Sequence, residues 1–172
     1  MGGLSAALPH RGETLQVVDG FPAVGDVLPA MCLTRSDLVD VGLSDFAGRV
    51  KIFNIFPSLD TQTCALSVKR FNARVESRAD TVLLQVSADL PFAHSRFCAA
   101  EGLENGVTLS MMRDKSFARD YGVLIETGSM AGLCARAVIV ADGDDRVVHA
   151  ELVSEIAQEP DYEAAMAALS RD

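Results

Sequence analysis

The chain contains no Cys-x-x-Cys pair, so the local dithiol of disulfide reductases is missing. It contains no apolar run near the roughly 18 residues that a membrane-spanning helix needs. It is short of positive charge, with 15 Lys and Arg against 24 Asp and Glu and a formal net charge of −9. That average field repels polyanions and sets nucleic acid aside as the main ligand. Six Pro and thirteen Gly leave no room for a low-complexity or collagen-like reading. A secretory signal is also missing: the apolar stretch at residues 4–8 is short and no basic segment precedes it. Ala6 stands where a myristoylation signal wants Ser or Thr. These absences together predict a cytoplasmic protein with reduced thiols and no membrane partner.

What remains is globular in composition, 49% hydrophobic and 23% charged. The length of 172 residues suits one domain spanning residues 1–172. Its four cysteines are Cys32, Cys64, Cys98 and Cys134. Four are too few for a disulfide-stapled scaffold. His94 precedes Cys98 by one helical turn, but nothing completes a second pair, so no metal site is expected. Cys32 and Cys134 read as small hydrophobes that pack. His10, His94 and His149 have no recognisable partners and read as structural or solvated.

Residues 14–18 (TLQVV) followed by Asp19-Gly20 predict an N-terminal hairpin at about residues 12–25. A short apolar piece at 31–34 leads to a helical turn at 43–47, stopped by Gly48. Residues 50–56 (VKIFNIF) and 81–86 (TVLLQV) read as buried strands. Between them, Cys64, Val68, Phe71 and Val75 recur on one face of a helix over residues 64–77. A second helix runs from Pro91 to a Gly102 stop. Residues 107–111 predict a strand and 116–121 a short helix. Residues 137–141 and 147–152 form a hairpin about Asp142-Gly143-Asp144-Asp145, and residues 161–169 a last helix. Alternating strands and helices argue for an α/β fold with a partly parallel sheet.

The segment Pro57-Ser58-Leu59-Asp60-Thr61-Gln62-Thr63-Cys64 follows a strand and opens a helix. Reactive groups in open α/β sheets gather at the carboxyl ends of strands. In the first turn of a helix, unpaired amides and the positive dipole end favour a thiolate over a thiol. The segment is similar to the Pro-x3-Thr-x2-Cys pattern of peroxiredoxins. Its surroundings, NIFPSLDTQTC and RFN, resemble the thiol peroxidases, the atypical 2-Cys peroxiredoxins. SRFCAAEGL at 95–103, ARAVIVAD at 135–142 and EPDYEAAMAAL at 159–169 agree, in order and at compatible spacing.

The resemblance implies a thioredoxin-like fold, a central mixed sheet flanked by helices, with an N-terminal hairpin added. It implies a peroxidase that reduces hydrogen peroxide and organic hydroperoxides without metal or organic cofactor. Cys64 would be the peroxidatic cysteine and Cys98 the resolving cysteine of the same chain. Thr61 would hold the thiolate and peroxide through its hydroxyl, Pro57 would shield the pocket from water, and Arg136 would stabilise the thiolate and the developing charge on the peroxide. Thioredoxin would reduce the Cys64–Cys98 disulfide, and the chain would form a homodimer. Met112 and residues 103–107 would give the pocket an apolar wall. Cys134, two residues before Arg136, would share its face.

A disulfide needs Cα atoms within about 7 Å. Two cysteines on separate helices rarely meet that, so local unfolding at Cys64, at the second helix, or at both is expected. Two other readings compete. One is a redox sensor that signals without turnover; the other is a binding module whose cysteines only pack. The enzymatic reading requires the Cys64 sulfur to be anionic at neutral pH and reachable by a small oxidant.

Overall fold

The computed structural model describes residues 6–169. A seven-stranded sheet organises it, built from β3 (Leu33–Arg35), β4 (Asp40–Val41), β5 (Val50–Ile55), β6 (Thr81–Ser87), β7 (Gly106–Ser110), β8 (Ala137–Ala141) and β9 (Val147–Leu152). The order is β4-β3-β7-β6-β5-β8-β9. β5 and β6, and β6 and β7, run parallel, whereas β8 pairs antiparallel with β5 and β9. The sheet is therefore mixed, as the resemblance implies.

Strand periodicity divides the core into two layers. Phe53, Ile55, Leu84, Val86, Ala137 and Ile139 face one layer with Phe117 and Tyr121, at and just past helix α3 (Ser116–Asp120). Ile52, Leu83, Val138 and Val140 face the other, against Phe71 and Val75, at and just past helix α1 (Gln62–Arg74), and Tyr162 and Ala165 of α4 (Tyr162–Ala168). Helix α2 spans Pro91–Glu101. Every residue of β6 and β8 is buried, which is why both read as mostly apolar runs without the alternation of a half-exposed strand. Gly102, at φ +66°, ends α2 in the left-handed conformation that glycine adopts without penalty.

The N-terminal hairpin exists, but it spans residues 6–17 rather than 12–25: the expected strand at 14–18 is its second strand, and the first lies before residue 12. Its strands are β1 (Ala6–His10) and β2 (Glu13–Val17), with His10 opposite Glu13. The turn is Arg11-Gly12, both at positive φ (46° and 83°), the geometry of a type I′ hairpin turn. Pro9 disguises β1 in the sequence. It is tolerated because this two-stranded sheet has free edges.

Cys32 and Cys134, both expected to pack, differ in the fold. Cys134 is fully buried, as expected, but Cys32 is exposed and does not pack. Cys134 also does not share the face of Arg136. It lies in the layer of Phe53 and Ile139, with its thiol 3.5 Å from Met111 Sδ. Regular strand alternation begins only at Ala137, so the two-residue rule fails across residues 134–136. Burial pushes the Cys134 thiol up to about 12.

Among the described residues, no helix is long and apolar enough to cross a membrane.

Candidate active site

Chain direction places Cys64. β5 ends at Ile55, and residues 56–61 turn the chain into α1. Thr61 is the N-cap in extended conformation, so Cys64 is the third residue of the helix. Its amide belongs to the first turn, where no intrahelical acceptor exists. The body of α1 is bolted to the sheet by buried amides. Asn54 Nδ2 donates to Gln85 Oε1 at 2.8 Å and to Ser67 Oγ at 3.2 Å. Ser67 Oγ donates to the Cys64 carbonyl at 2.8 Å, and Gln85 Nε2 donates to the Val68 carbonyl at 3.3 Å.

Arg136 stands one residue before β8 and is 1% exposed. Its Nη2 donates to Cys64 Sγ at 3.2 Å. Nε and Nη2 also clamp the Ile156 carbonyl at 3.1 and 2.9 Å. Nη1 is buried with no hydrogen-bond partner among the described residues. None of the bonds recorded for this guanidinium goes to a carboxylate.

The sulfur itself is closed off. Cys64 is 0% exposed, packed with Phe56, Leu59 and Val68 and against Phe97 and Leu103. A cavity of about 840 Å³ reaches Arg136 and residues 61–63 but stops short of Cys64. Its other walls are residues 9–14 of the hairpin, Met130 and residues 155–157. The direct path that the enzymatic reading requires is therefore absent in this conformation. Arg136 separates the open space from the sulfur and touches both.

The remaining candidates surround this pair. Pro57 is buried just past β5. Thr61 lines the cavity, and its hydroxyl donates to the Ser58 carbonyl at 3.1 Å. Cys98 sits near the end of α2, where its carbonyl accepts the capping amides of Gly102 and Leu103. It is half-buried, and burial pushes its thiol up from the ordinary value. It lines a different cavity, of about 500 Å³, with Arg35, Ser95 and Leu103. Its neighbour Phe97 faces Cys64 instead. All four cysteines are free thiols.

The apolar wall expected from Met112 and residues 103–107 is not at this pocket. Leu103, Gly106 and Val107 line the Cys98 cavity, and Met112 lines neither. The hairpin supplies the wall instead. His10 is on it, whereas His94 is fully buried on Ser87 Oγ at 2.9 Å. Sequence reasoning passes over Asn54 and Gln85. The signal is one amide in the interior of each of two largely apolar strands, VKIFNI and TVLLQVS. Among the described residues, no group of three His, Cys, Asp or Glu side chains is placed to hold a metal ion.

Residues 23–166 match the family model described as Redoxin. The chain belongs to the redoxin family. A thiol peroxidase of Mycobacterium bovis is 51% identical over 164 residues, covering 95% of this chain and 98% of that protein. A peroxiredoxin-like protein from Aquifex aeolicus superposes with a TM-score of 0.88 at 31% identity, covering 98% of each chain. A thiol peroxidase from Chromobacterium violaceum gives the same TM-score at 26% identity over 95% of each. Within the redoxins the chain is a peroxiredoxin of the thiol peroxidase kind, and so a peroxide-reducing enzyme. Nothing in these relatives favours a sensor that reacts without turnover.

Proposed function

We propose that Cys64 is the peroxidatic nucleophile of this peroxidase and Cys98 the resolving thiol of the same chain. The contact between Arg136 Nη2 and Cys64 Sγ carries the reading. Leaving a buried guanidinium without a counter-charge costs several kcal/mol. An anionic sulfur supplies that counter-charge where no carboxylate bond is recorded.

The sulfur attacks the terminal oxygen of the hydroperoxide. The S–O bond forms as the O–O bond breaks, leaving Cys64 sulfenic acid and an alkoxide or hydroxide that takes up a proton. Negative charge grows on the leaving oxygen, and donors aimed there stabilise the transition state more than the ground state. Nη1 of Arg136 is such a donor, unengaged before substrate arrives. The Thr61 hydroxyl reaches the same place once it leaves the Ser58 carbonyl. Pro57 limits water there. Because Cys64 is closed off, peroxide enters from the Arg136 cavity when residues 61–63 shift.

Cys64 and Cys98 face separate spaces, so their disulfide requires the first turn of α1 and the last turn of α2 to open. Thioredoxin is the proposed reductant of that bond, in a reducing cytoplasm. The proposed assembly is a homodimer. Leu90, Phe92 and Met112, exposed on segments joined through Ser110, offer it an apolar face. Peroxide consumption with a thioredoxin system tests the scheme. Cys64→Ser is expected to be inactive, and Cys98→Ser to be oxidised once and then recycle poorly. Full turnover by Cys64→Ser would refute it.

A further inference from the structure

A second polar cluster ties the loop before α1 to the loop before α2. The Asp89 carboxylate accepts from Ser58 Oγ at 2.8 Å, from the Leu59 amide at 2.8 Å and from Ser87 Oγ at 2.6 Å. Ser87 has one proton and gives it to Asp89, so His94 Nε2, 2.9 Å from Ser87 Oγ, is the donor of that bond. His94 Nδ1 then carries no proton, in keeping with its lack of a partner among the described residues. The Asp89 backbone is held as well, its carbonyl accepting from Ser110 Oγ at 2.6 Å. On the other side, the Ser58 carbonyl accepts from the Thr61 amide and hydroxyl. One carboxylate beside α2 therefore fixes the loop that delivers Cys64.

These are the two segments that must part before Cys64 reaches Cys98. We propose that Asp89 is a positioning residue whose clasp on Ser58 and Leu59 sets how often the Cys64 turn opens towards Cys98. The inference rests on the Cys64–Cys98 pairing proposed above. In the open state the Cys98 thiol attacks the sulfenic sulfur. An S–S bond forms, the S–OH bond breaks, and hydroxyl and thiol proton leave as water. The Cys98 sulfur is oxidised and the Cys64 sulfur reduced. In the closed state the sulfenic acid meets a second hydroperoxide instead. It takes one oxygen to become sulfinic acid, and the peroxide leaves as alcohol or water. The clasp therefore sets the partition between disulfide and sulfinic acid.

The test uses Asp89→Asn and Ser58→Ala in the full chain. Reduced protein is exposed to graded hydrogen peroxide, free thiols are alkylated, and intact masses give the ratio of disulfide to sulfinic acid. Losing bonds to a charged acceptor should raise that ratio on the order of tenfold in Asp89→Asn, and less in Ser58→Ala. In a Cys98→Ser background, neither substitution should slow sulfinic acid formation. A merely structural role would lower the melting temperature and leave the ratio where it was. An unchanged ratio in folded variants overturns the clasp while the pairing stands. Oxidised wild type without a Cys64–Cys98 linked peptide overturns both. Should Asp89→Asn fail to fold, the Ser58→Ala ratio decides.

Discussion

Arg136→Met separates catalysis from stability. The guanidinium is buried, clamps Ile156 through Nε and Nη2, touches Cys64 Sγ through Nη2 and keeps Nη1 unengaged. Methionine fills similar volume and removes the charge, the donor at the sulfur and the spare donor together. Removing one preorganised donor of this type costs on the order of a hundredfold in rate, about 2.7 kcal/mol in the barrier. Two donors and the counter-charge are lost here, so the expected fall in single-turnover oxidation is between about a hundredfold and a thousandfold. Stability should move differently. Methionine fills the vacated volume, and the lasting cost is the Ile156 carbonyl left without its donors, about 1–3 kcal/mol.

Arg136→Met should therefore melt within a few degrees of wild type while Cys64 oxidises far more slowly. The assay is rapid mixing with excess hydrogen peroxide, acid quench, alkylation and mass analysis of the Cys64 peptide. Urea denaturation of the same preparations gives the stability. A rate within a few-fold of wild type would refute the role given to Arg136. A rate loss explained wholly by unfolding would also refute it.

Three further outcomes are expected. Burial lowers His94 from its ordinary value of 6.5 to about 4, against the opposing pull of Asp89. Between those values the unfolded chain binds a proton that the folded chain refuses. Stability is therefore complete above pH 6.5 and falls by roughly 3 kcal/mol as pH drops towards 4. His94→Asn should flatten that stretch of a urea-denaturation pH series, and an equally steep variant would contradict the assignment. Cys134→Ser should cost about 1–3 kcal/mol, because a hydroxyl replaces a thiol in an apolar layer, and should leave turnover unchanged below its melting transition. Iodoacetamide on the reduced protein should label exposed Cys32 well before Cys134, and the reverse order would be inconsistent with the burial of either residue.

Local patterns carry most of the fold. The runs at β5, β6 and β8 are legible because strands buried on both faces are mostly apolar. Helix α1 is legible because Val68, Phe71 and Val75 repeat at helical spacing. The hairpin is displaced because Pro9 argues against a strand, and only the pairing of residues 6–10 with 13–17 overrides it. Cys64 is legible through its motif and its place after a strand. The Arg136–Cys64 contact is legible only through the family resemblance, since no local pattern joins residues from such distant parts of the chain. Cys32 is misjudged for a related reason. Composition gives a thiol's average burial and says nothing of which side of a loop faces water.

The placement of polar bonds along α1 fixes where it can open. From Ser67 onward the helix is fastened: Ser67 Oγ meets Asn54 Nδ2, and the Val68 carbonyl meets Gln85 Nε2. Asn54 and Gln85 lie side by side on β5 and β6, the paired parallel strands at the centre of the sheet. Opening the helix past Ser67 would strand these amides in an apolar interior, at about 1–3 kcal/mol for each group left unpaired. Before Cys64 the bonds are of another kind. They run from loop residues to the partly exposed carboxylate of Asp89 and from the Thr63 hydroxyl to the exposed Ala157 carbonyl, where water can replace them. In the disulfide scheme proposed above, the hinge would fall at residues 64–67, with the Ser67 hydroxyl on the Cys64 carbonyl the last bond to hold. In that scheme such a division would let the first turn of α1 carry the sulfur towards Cys98, once the last turn of α2 has also opened, while the rest of the helix keeps its seat on the sheet.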